Sequence, residues 1–168
     1  IIKSRRSCKG TEWIKKASLK GVKIRLRRYK EQEKRIMSKL KNPKYYPLIS
    51  RLCGFLVGDG SLTEKSYEIR YYPDTIYLAK IFVDTFKKIY GKEPKIKNRG
   101  NYFEVRIRLK SVYNHLTKIT SFSSLLWRIP SKILTSKKNK KEFIRAFFDC
   151  EAYVGKRIIQ VQSVNKKG

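Results

Sequence analysis

Two segments of the sequence place an acidic residue directly after two small residues that are four positions apart. The residues are Gly54, Gly58 and Asp59 in the first segment and Ala146, Cys150 and Glu151 in the second. In a helix, residues at this spacing lie on one face, and small residues there let two helices pack with their backbones nearly touching. If the two helices pack side by side in the same direction, we expect Asp59 and Glu151 to emerge together at one end.

Two carboxylates brought together in this way favour the binding of a cation. Close negative charges are costly unless a cation lies between them, and their oxygens suit a hydrated Mg²⁺ or Mn²⁺ ion. A metal in such a site can help to cleave a phosphate ester. The alternative is that Asp59 and Glu151 are incidental acids at the ends of two buried helices. The matched spacing in both segments favours the metal site.

The charge of the chain indicates a polyanionic partner. Among its 168 residues, 42 are Lys or Arg and 13 are Asp or Glu, which gives a formal net charge of +29. Nucleic acid is the favoured partner because the aromatic residues and strand-like segments do not form one long amphipathic surface helix. No apolar run approaches the length of a membrane span, and the first residues do not lead into the apolar core of a signal peptide. We therefore expect no membrane partner.

The cysteines disfavour a zinc site and a disulfide framework. Cys8, Cys53 and Cys150 are far apart, and His115 is the single histidine. Cys53 and Cys150 are expected to be small apolar residues of the core. The default compartment is a reducing cytoplasm, so we expect the protein in a prokaryotic or archaeal nucleoid or in an organelle.

Hydrophobic periodicity predicts a mixed α/β domain after a basic N-terminal extension. Helices are predicted over residues 48–58, 75–90, 111–120 and 141–153, and strands over residues 66–72, 94–98, 102–110 and 156–164. Residues 98–101 carry the signal of a hairpin turn, and residues 121–136 form a connector with another helix or turn. In the extension, residues 22–26 alternate as a strand does, and residues 29–40 have a helical pattern. The extension either is solvated or lies on a phosphate backbone, and its density of positive charge favours the second interpretation.

At the two small-residue segments the sequence resembles the LAGLIDADG homing endonucleases. The first segment matches the family motif as a version that ends in Gly-Asp-Gly, and the second resembles the version that ends in Asp-x-Glu. The resemblance spans roughly residues 48–165 and is to the two-motif, monomeric type. It implies an α/β (α+β) fold of αββαββα repeats, with antiparallel saddle-shaped sheets and two packed motif helices.

The resemblance also implies a division of the chain into three parts. Residues 1–47 would be the basic extension, residues 48–136 the first repeat, and residues 137–168 the start of a second repeat. Only 17 residues follow Glu151, so we expect the second repeat to be incomplete in this sequence.

By this resemblance the protein would be a site-specific, intron-encoded endonuclease that cuts both strands of DNA during intron homing. Asp59 and Glu151 would bind Mg²⁺ or Mn²⁺ and activate water, with Gly58 and Cys150 beside them in the metal site. Lys156, five residues after Glu151, is the candidate for a further catalytic residue. The alternative for Lys156 is a solvated lysine at the edge of a strand.

The sequence departs from the family pattern beside these acids. Pro73 and Asp74 stand where the family often has a Gln-Lys pair, which predicts an asymmetric or weakened first site. Ala152 replaces the usual glycine after the second acid. Arg145 lies early in the second motif, so we expect that helix face to be exposed to solvent or DNA.

Basic residues on the predicted strands are the candidates for reading DNA. Residues 103–110 alternate, with apolar residues on one face and Glu104, Arg106, Arg108 and Lys110 on the other. Arginine reads guanine through two parallel hydrogen bonds in the major groove. The candidates for base contacts are Arg70, Lys95, Lys97, Arg99, Arg106, Arg108 and Lys110. The candidates for phosphate contacts are Lys137, Lys138 and Lys140.

The sequence is also compatible with other functions. The same fold can serve as an intron RNA maturase or as a catalytically degenerate nucleic-acid-binding protein, and the Pro73-Asp74 departure keeps both alternatives. A basic binding protein of ribosomal type matches the charge but does not predict the two small-residue motifs. An intein-borne protein is disfavoured because the chain has no N-terminal Cys or Ser and no terminal His-Asn. The expected partner is double-stranded DNA with a long recognition site, bound by a monomer with pseudo-twofold symmetry, and intron RNA is the alternative partner.

Overall fold

The computed structural model describes residues 12–122 and 126–161. Its helices are α1 (Glu12–Lys41), α2 (Tyr46–Asp59), α3 (Ile76–Tyr90), α4 (Lys110–Ile119) and α5 (Lys137–Glu151), with a short 3-10 turn at Pro43–Tyr45. Its strands are β1 (Gly60–Thr63), β2 (Glu68–Tyr71), β3 (Lys95–Asn98), β4 (Phe103–Arg108), β5 (Ala152–Val154) and β6 (Ile159–Val161). Cys8 and the end of the last predicted strand lie outside the described residues.

Strands β1 to β4 form an antiparallel sheet in the order β1-β2-β4-β3. Along each strand, successive side chains point to opposite faces of the sheet. Ile69, Tyr71 and Val105 point to the helical side, where each is at most 1% exposed. The opposite face is polar, and there Arg70 of β2 pairs in register with Arg106 of β4.

Aromatic side chains from α2, α3 and β2 form the centre of the core. The ring centroids of Phe55 and Tyr71 are 5.2 Å apart, and those of Tyr71 and Phe82 are 4.7 Å apart. All three side chains are at most 1% exposed. This cluster fixes the end of α2 against the sheet, and the end of α2 carries Asp59.

The order of the elements repeats along the chain. From α2 to α4 the order is αββαββα, and α5, β5 and β6 repeat its first three elements. The predicted mixed α/β class with an antiparallel sheet is confirmed. Thr75 caps α3 by accepting a hydrogen bond from the Leu78 amide, and Gly91 ends the helix at φ 67°, directly after the predicted range of residues 75–90.

The outer face of α5 is less covered than the matching face of α2. Ile144 and Phe148 lie two residues before and after Ala146, as Leu52 and Leu56 lie two residues before and after Gly54. Ile144 is 51% exposed and Phe148 is 40% exposed, whereas Leu52 and Leu56 are at most 1% exposed. Arg145 is exposed as well, which agrees with the expectation for that face.

The predicted strand over residues 22–26 is wrong, because these residues belong to the 30-residue helix α1. Leu19, Val22, Leu26 and Tyr29 recur at helical spacing, and the Lys and Arg residues between them favour helix. The second half of α1 packs on the first repeat. Ile36 is 3% exposed there, and the Tyr29 hydroxyl accepts a 3.4 Å hydrogen bond from the Asn114 amide.

The predicted last strand over residues 156–164 is confirmed at Ile159–Val161 and is wrong at residues 156–158, which form a turn. This strand is the second one of a hairpin, in which Ala152 pairs with Val161 and Val154 with Ile159. Strand β5 takes residues that were predicted as the end of the last helix. Strand β1 was not predicted, since Gly60–Thr63 is too short to show a clear alternation. None of the described helices has the length and apolar character needed to cross a bilayer.

Candidate active site and nucleic-acid interface

Helices α2 and α5 pack through their small residues. A Cβ atom on Gly54 would lie 2.8 Å from the Cβ of Ala146, and one on Gly58 would lie 2.5 Å from the Cβ of Cys150. Gly54 therefore faces Ala146 and Gly58 faces Cys150, so the two helices run in the same direction. The helix contact expected from the sequence is present in the structure.

This packing brings Asp59 and Glu151 together, since each is the last residue of its helix. Burial raises the pKa of Asp59 and the negative charge of Glu151 raises it further, to about 6. Burial also raises the pKa of Glu151. The two carboxylates therefore share one partly buried location and repel each other when both are ionised.

Cys150 and Tyr71 form the apolar side of this location. The Tyr71 hydroxyl lies 3.6 Å from the Cys150 sulfur, and the sulfur lies 3.9 Å from the Phe55 carbonyl oxygen. Burial is the main cause that raises the pKa of the Cys150 thiol, to about 12. The thiol of the metal-free protein is therefore neutral, and the anionic oxygens available to a metal are those of Asp59 and Glu151. Residues 12–122 and 126–161 contain no group of three or more His, Cys, Asp and Glu side chains that could hold a metal.

The polar face of the sheet holds two buried glutamates among the arginines. Glu68 is 2% exposed, and its carboxylate accepts a 3.0 Å hydrogen bond from Nε of Arg108 and one of 2.5 Å from Nη2 of Arg70. Glu104 is 5% exposed and accepts a 2.7 Å hydrogen bond from Nε of Arg99. The alternation of residues 103–110 predicted Glu104 on this face without a role, and Glu68 was not among the predicted functional residues. The signal was available, since both glutamates alternate in register with the arginines.

Comparison with known proteins bears on the fold. No family model matches the chain. The replication factor C small subunit of Methanocaldococcus jannaschii is 24% identical over 155 residues, which is 82% of this chain and 8% of that protein. The chain thus spans a small part of the curated relative that it matches.

Among solved structures, the chain is similar to a variant of the LAGLIDADG homing endonuclease I-DmoI in complex with its target DNA, solved in the presence of Mn. The TM-score is 0.51 at 13% identity, over 70% of this chain and 68% of that chain. The fold is the LAGLIDADG endonuclease fold. A second structure, I-DmoI in complex with DNA and Mn, matches with a TM-score of 0.47 at 14% identity, over 65% of this chain and 64% of that chain.

In this LAGLIDADG fold, the residues after β2 add negative charge beside the first acid. The Tyr72 amide donates a 3.0 Å hydrogen bond to the main-chain oxygen of Asp59, which joins the end of β2 to the end of α2. The charge of Asp74 contributes to the raised pKa of Asp59. Where the family resemblance implies a basic side chain, this chain therefore supplies a third acid.

The structure separates Lys156 from the acids. Lys156 is exposed in the turn between β5 and β6, whereas Glu151 directly precedes β5 at the other end of the hairpin. Three strand residues at about 3.3 Å each lie between them. Its catalytic role stays a prediction that this placement does not support.

The predicted DNA-binding lysines fall into three groups. Lys95 and Lys97 are exposed on β3, beside the arginines of the polar face. Lys110 is not a strand residue, because it begins α4. Its Nζ atom lies 4.9 Å from the ring centroid of Tyr67. Lys137, Lys138 and Lys140 are exposed in the first turn of α5. At about 1.5 Å per residue, that turn lies roughly 20 Å from Glu151. Their contact with phosphate also stays a prediction.

Proposed function

We propose that the chain binds double-stranded DNA on the polar face of its sheet and hydrolyses phosphodiester bonds with a divalent metal held by Asp59 and Glu151. The observation that carries this proposal is the convergence of the two carboxylates at the ends of two closely packed helices. The similarity to a DNA-bound structure of I-DmoI, solved in the presence of Mn, supports it.

The two carboxylates suit a divalent metal. The charge of Glu151 disfavours ionisation of Asp59, and a cation between them removes that repulsion. Mg²⁺ commonly binds through one or two carboxylates and completes its shell with waters and substrate phosphate, so a third protein acid is not required. When bound, Mg²⁺ or Mn²⁺ would supply Lewis-acid stabilisation of the phosphate and would lower the pKa of a bound water.

The protein residues around the acids hold them in place. The tight contact of Gly58 with Cys150 fixes the separation of the two helix ends, and the hydrogen bond from the Tyr72 amide fixes the end of α2. The buried side of the location, formed by Tyr71 and Cys150, excludes water there. These contacts restrict Asp59 and Glu151 to one end of the helix pair, where the charge of Glu151 acts on Asp59.

The polar face of the sheet is suited to the major groove. Arg106 and Arg108 have 48% and 64% of their side chains exposed, and arginine is the residue that most often reads guanine there. The net charge of +29 supplies attraction to phosphate that does not depend on sequence. The finer proposal is an intron-encoded homing endonuclease that acts as a pseudo-twofold monomer on one long site.

A second candidate is a nucleic-acid-binding protein of the same fold that does not cut, such as an intron RNA maturase. The placements of Asp74 and Lys156 favour it, because the charge of Asp74 acts on Asp59 and the turn that holds Lys156 lies at the other end of the hairpin from Glu151. The two candidates differ in one measurable property, which is cleavage of DNA in a divalent metal.

The test is a cleavage assay in Mg²⁺ or Mn²⁺ on DNA that spans an intronless copy of the host gene. Wild type is compared with Asp59→Asn and Glu151→Gln, and with Glu93→Gln as a control that removes an exposed acid paired with Lys87. We expect cutting at one place by wild type and Glu93→Gln, with binding but no cutting by the other two. Tight binding of wild type without cutting in either metal would favour the second candidate, and intron RNA would be the next substrate.

A further inference from the structure

The polar face of the sheet buries two carboxylates at the surface where DNA would bind. Glu68 and Glu104 are 2% and 5% exposed. Burial of a carboxylate is costly unless it is paired and hydrogen-bonded, and negative charge also opposes contact with phosphate. Both effects are unfavourable for Glu68 and Glu104, so a favourable interaction must offset them.

Glu68 organises three arginines from two neighbouring strands. Its Oε1 accepts the hydrogen bond from Nε of Arg108 and lies 3.6 Å from Nε of Arg106. Its Oε2 accepts from Nη2 of Arg70 at 2.5 Å. Burial raises the pKa of Glu68, but the hydrogen bonds and charges of Arg70 and Arg108 outweigh it and lower that pKa. Glu68 therefore stays ionised and paired at neutral pH.

Glu104 continues the same network across the sheet. It accepts hydrogen bonds from Nε and Nη2 of Arg99, and its Oε1 lies 4.0 Å from Nε of Arg70. Arg70 thus lies between the two carboxylates. The network runs from Arg108 and Arg106 through Glu68 and Arg70 to Glu104.

The pairing leaves the outer ends of two arginines available. Both Arg106 and Arg108 approach Glu68 through Nε, and no hydrogen bond within the described part of the chain engages their Nη nitrogens. The side chain of Arg108 is 64% exposed, although the carboxylate that holds it is 2% exposed. An arginine held at Nε can present its Nη groups to the O6 and N7 atoms of guanine without first losing rotamer freedom.

We propose that Glu68 is a positioning residue for base readout, which fixes Arg106 and Arg108 so that their guanidinium groups can discriminate between base pairs. The proposal rests on the proposed binding of double-stranded DNA. Glu104 has the same role for Arg99.

A positioning role and a simple charge effect predict different results. If Glu68 acts only by its charge, Glu68→Gln strengthens binding to all DNA sequences equally. If it positions the arginines, the variant binds most DNA at least as well as wild type but discriminates less between sequences. The ratio of preferred to random affinity is therefore the informative quantity.

The experiment selects bound duplexes from a randomised DNA library and measures the affinity for the selected sequence and for random duplex. Wild type is compared with Glu68→Gln, with Arg108→Ala, and with Glu93→Gln, which removes the same charge from an exposed acid in the loop between α3 and β3. We expect Glu68→Gln to lower the ratio roughly tenfold, which is within the range of one bidentate arginine contact. The lost preference should fall at base positions that Arg108→Ala also affects, and Glu93→Gln should keep the wild-type ratio.

An unchanged ratio and unchanged base preferences in folded Glu68→Gln would overturn the proposal. Circular dichroism establishes that the variant is folded, and Arg108→Lys provides a second test if it is not. Lysine keeps the charge but cannot both pair with Glu68 and donate two parallel hydrogen bonds to guanine. A wild-type preference between DNA sequences in Arg108→Lys would therefore also contradict the proposal. Failure of wild type to bind duplex DNA would instead refute the proposed function itself, and the two failures are thereby distinguished.

Discussion

Gly58 of α2 and Cys150 of α5 approach so closely that a Cβ atom on Gly58 would lie 2.5 Å from the Cβ of Cys150 and 3.1 Å from its sulfur. No side chain fits between the two helices at this point without a shift of the backbone. The position of both helix ends, and hence of Asp59 and Glu151, depends on this contact.

Gly58→Ala should therefore destabilise the protein. The added methyl group overpacks a well-filled helix contact, and we expect a loss of about 1–3 kcal/mol in the free energy of unfolding. Urea unfolding followed by circular dichroism measures it. Gly21→Ala is the matched control, because nothing lies within 4 Å of a Cβ at that position in α1. Alanine there should stabilise by roughly 0.5–1 kcal/mol. Equal effects of the two substitutions would contradict the close helix contact.

Asp59→Asn should stabilise the metal-free protein at neutral pH. The folded-state pKa of Asp59 is raised to about 6, so the ionised carboxylate opposes folding. This group contributes stability below its ordinary pKa of about 3.8, and that contribution is lost as the pH rises through about 6. With allowance for solvent screening, we expect a gain of about 1–2 kcal/mol in the variant at pH 8 and little difference near pH 4.

Urea unfolding in EDTA at several pH values gives this comparison. Added Mg²⁺ should then raise the stability of wild type and leave Asp59→Asn almost unchanged, because a ligand that binds only the folded state stabilises it. Equal stabilisation of both proteins by Mg²⁺ would argue that the metal binds elsewhere.

The helix contact could be predicted from the sequence because small residues at fixed spacing describe one physical situation. Gly54 and Gly58 leave room for Ala146 and Cys150, and each acid follows directly, so the convergence of Asp59 and Glu151 required no knowledge of the rest of the fold. Helix α3 was equally predictable, since its apolar periodicity, its capping Thr75 and its terminal Gly91 all agree.

Other elements depended on contacts that local patterns do not contain. The alternation of residues 22–26 indicated a strand, but Tyr29 and Ile36 dock farther along the same helix and that tertiary contact decides the structure. The predicted role of Lys156 depended on its position five residues after Glu151, and strand β5 places it in the hairpin turn, away from the acids. Glu68 was missed because its function depends on arginines of two strands, which only the register brings together.

His115 should make the protein sensitive to acid. It is buried, its Nδ1 lies 2.7 Å from the Tyr90 hydroxyl, and burial is the main cause that lowers its pKa to about 4. Because the folded-state pKa is below the ordinary value of about 6.5, the stability from this group is full above that value and is lost as the pH falls through about 4. The loss amounts to up to about 3 kcal/mol.

His115→Leu should remove this part of the acid sensitivity. Asp59 acts in the opposite direction over an overlapping pH range, so the comparison belongs in the Asp59→Asn background. The measurement is the free energy of unfolding in urea at pH 7, 5 and 4. The free energy of unfolding should depend less on pH in the Leu variant. Loss of the hydrogen bond to Tyr90 lowers that free energy by the same amount at every pH, so it does not affect the comparison. An identical pH dependence in the two proteins would show that His115 does not titrate in this way.

The exposed lysines of α1 should contribute to DNA binding by neutralising phosphates. Tyr29 docks beside Lys110, at the end of the polar sheet face where Arg108 lies, and Lys20, Lys23 and Lys30 are exposed along the same helix. Replacing these three lysines with alanine should reduce the slope of log affinity against log salt by roughly 0.9 for each phosphate that the variant no longer neutralises, and should weaken binding to all DNA sequences about equally.

The matched control replaces Lys80, Lys87 and Lys88, which are exposed on α3. Helix α3 packs on the apolar face of the sheet, so these lysines lie away from the arginines, and the control should keep the wild-type slope. The measurement is fluorescence anisotropy with one duplex over a range of salt concentrations. Equal slopes for wild type and the α1 variant would exclude α1 from the interface. An equal reduction in both variants would show that the net charge of +29 acts as a whole rather than through α1.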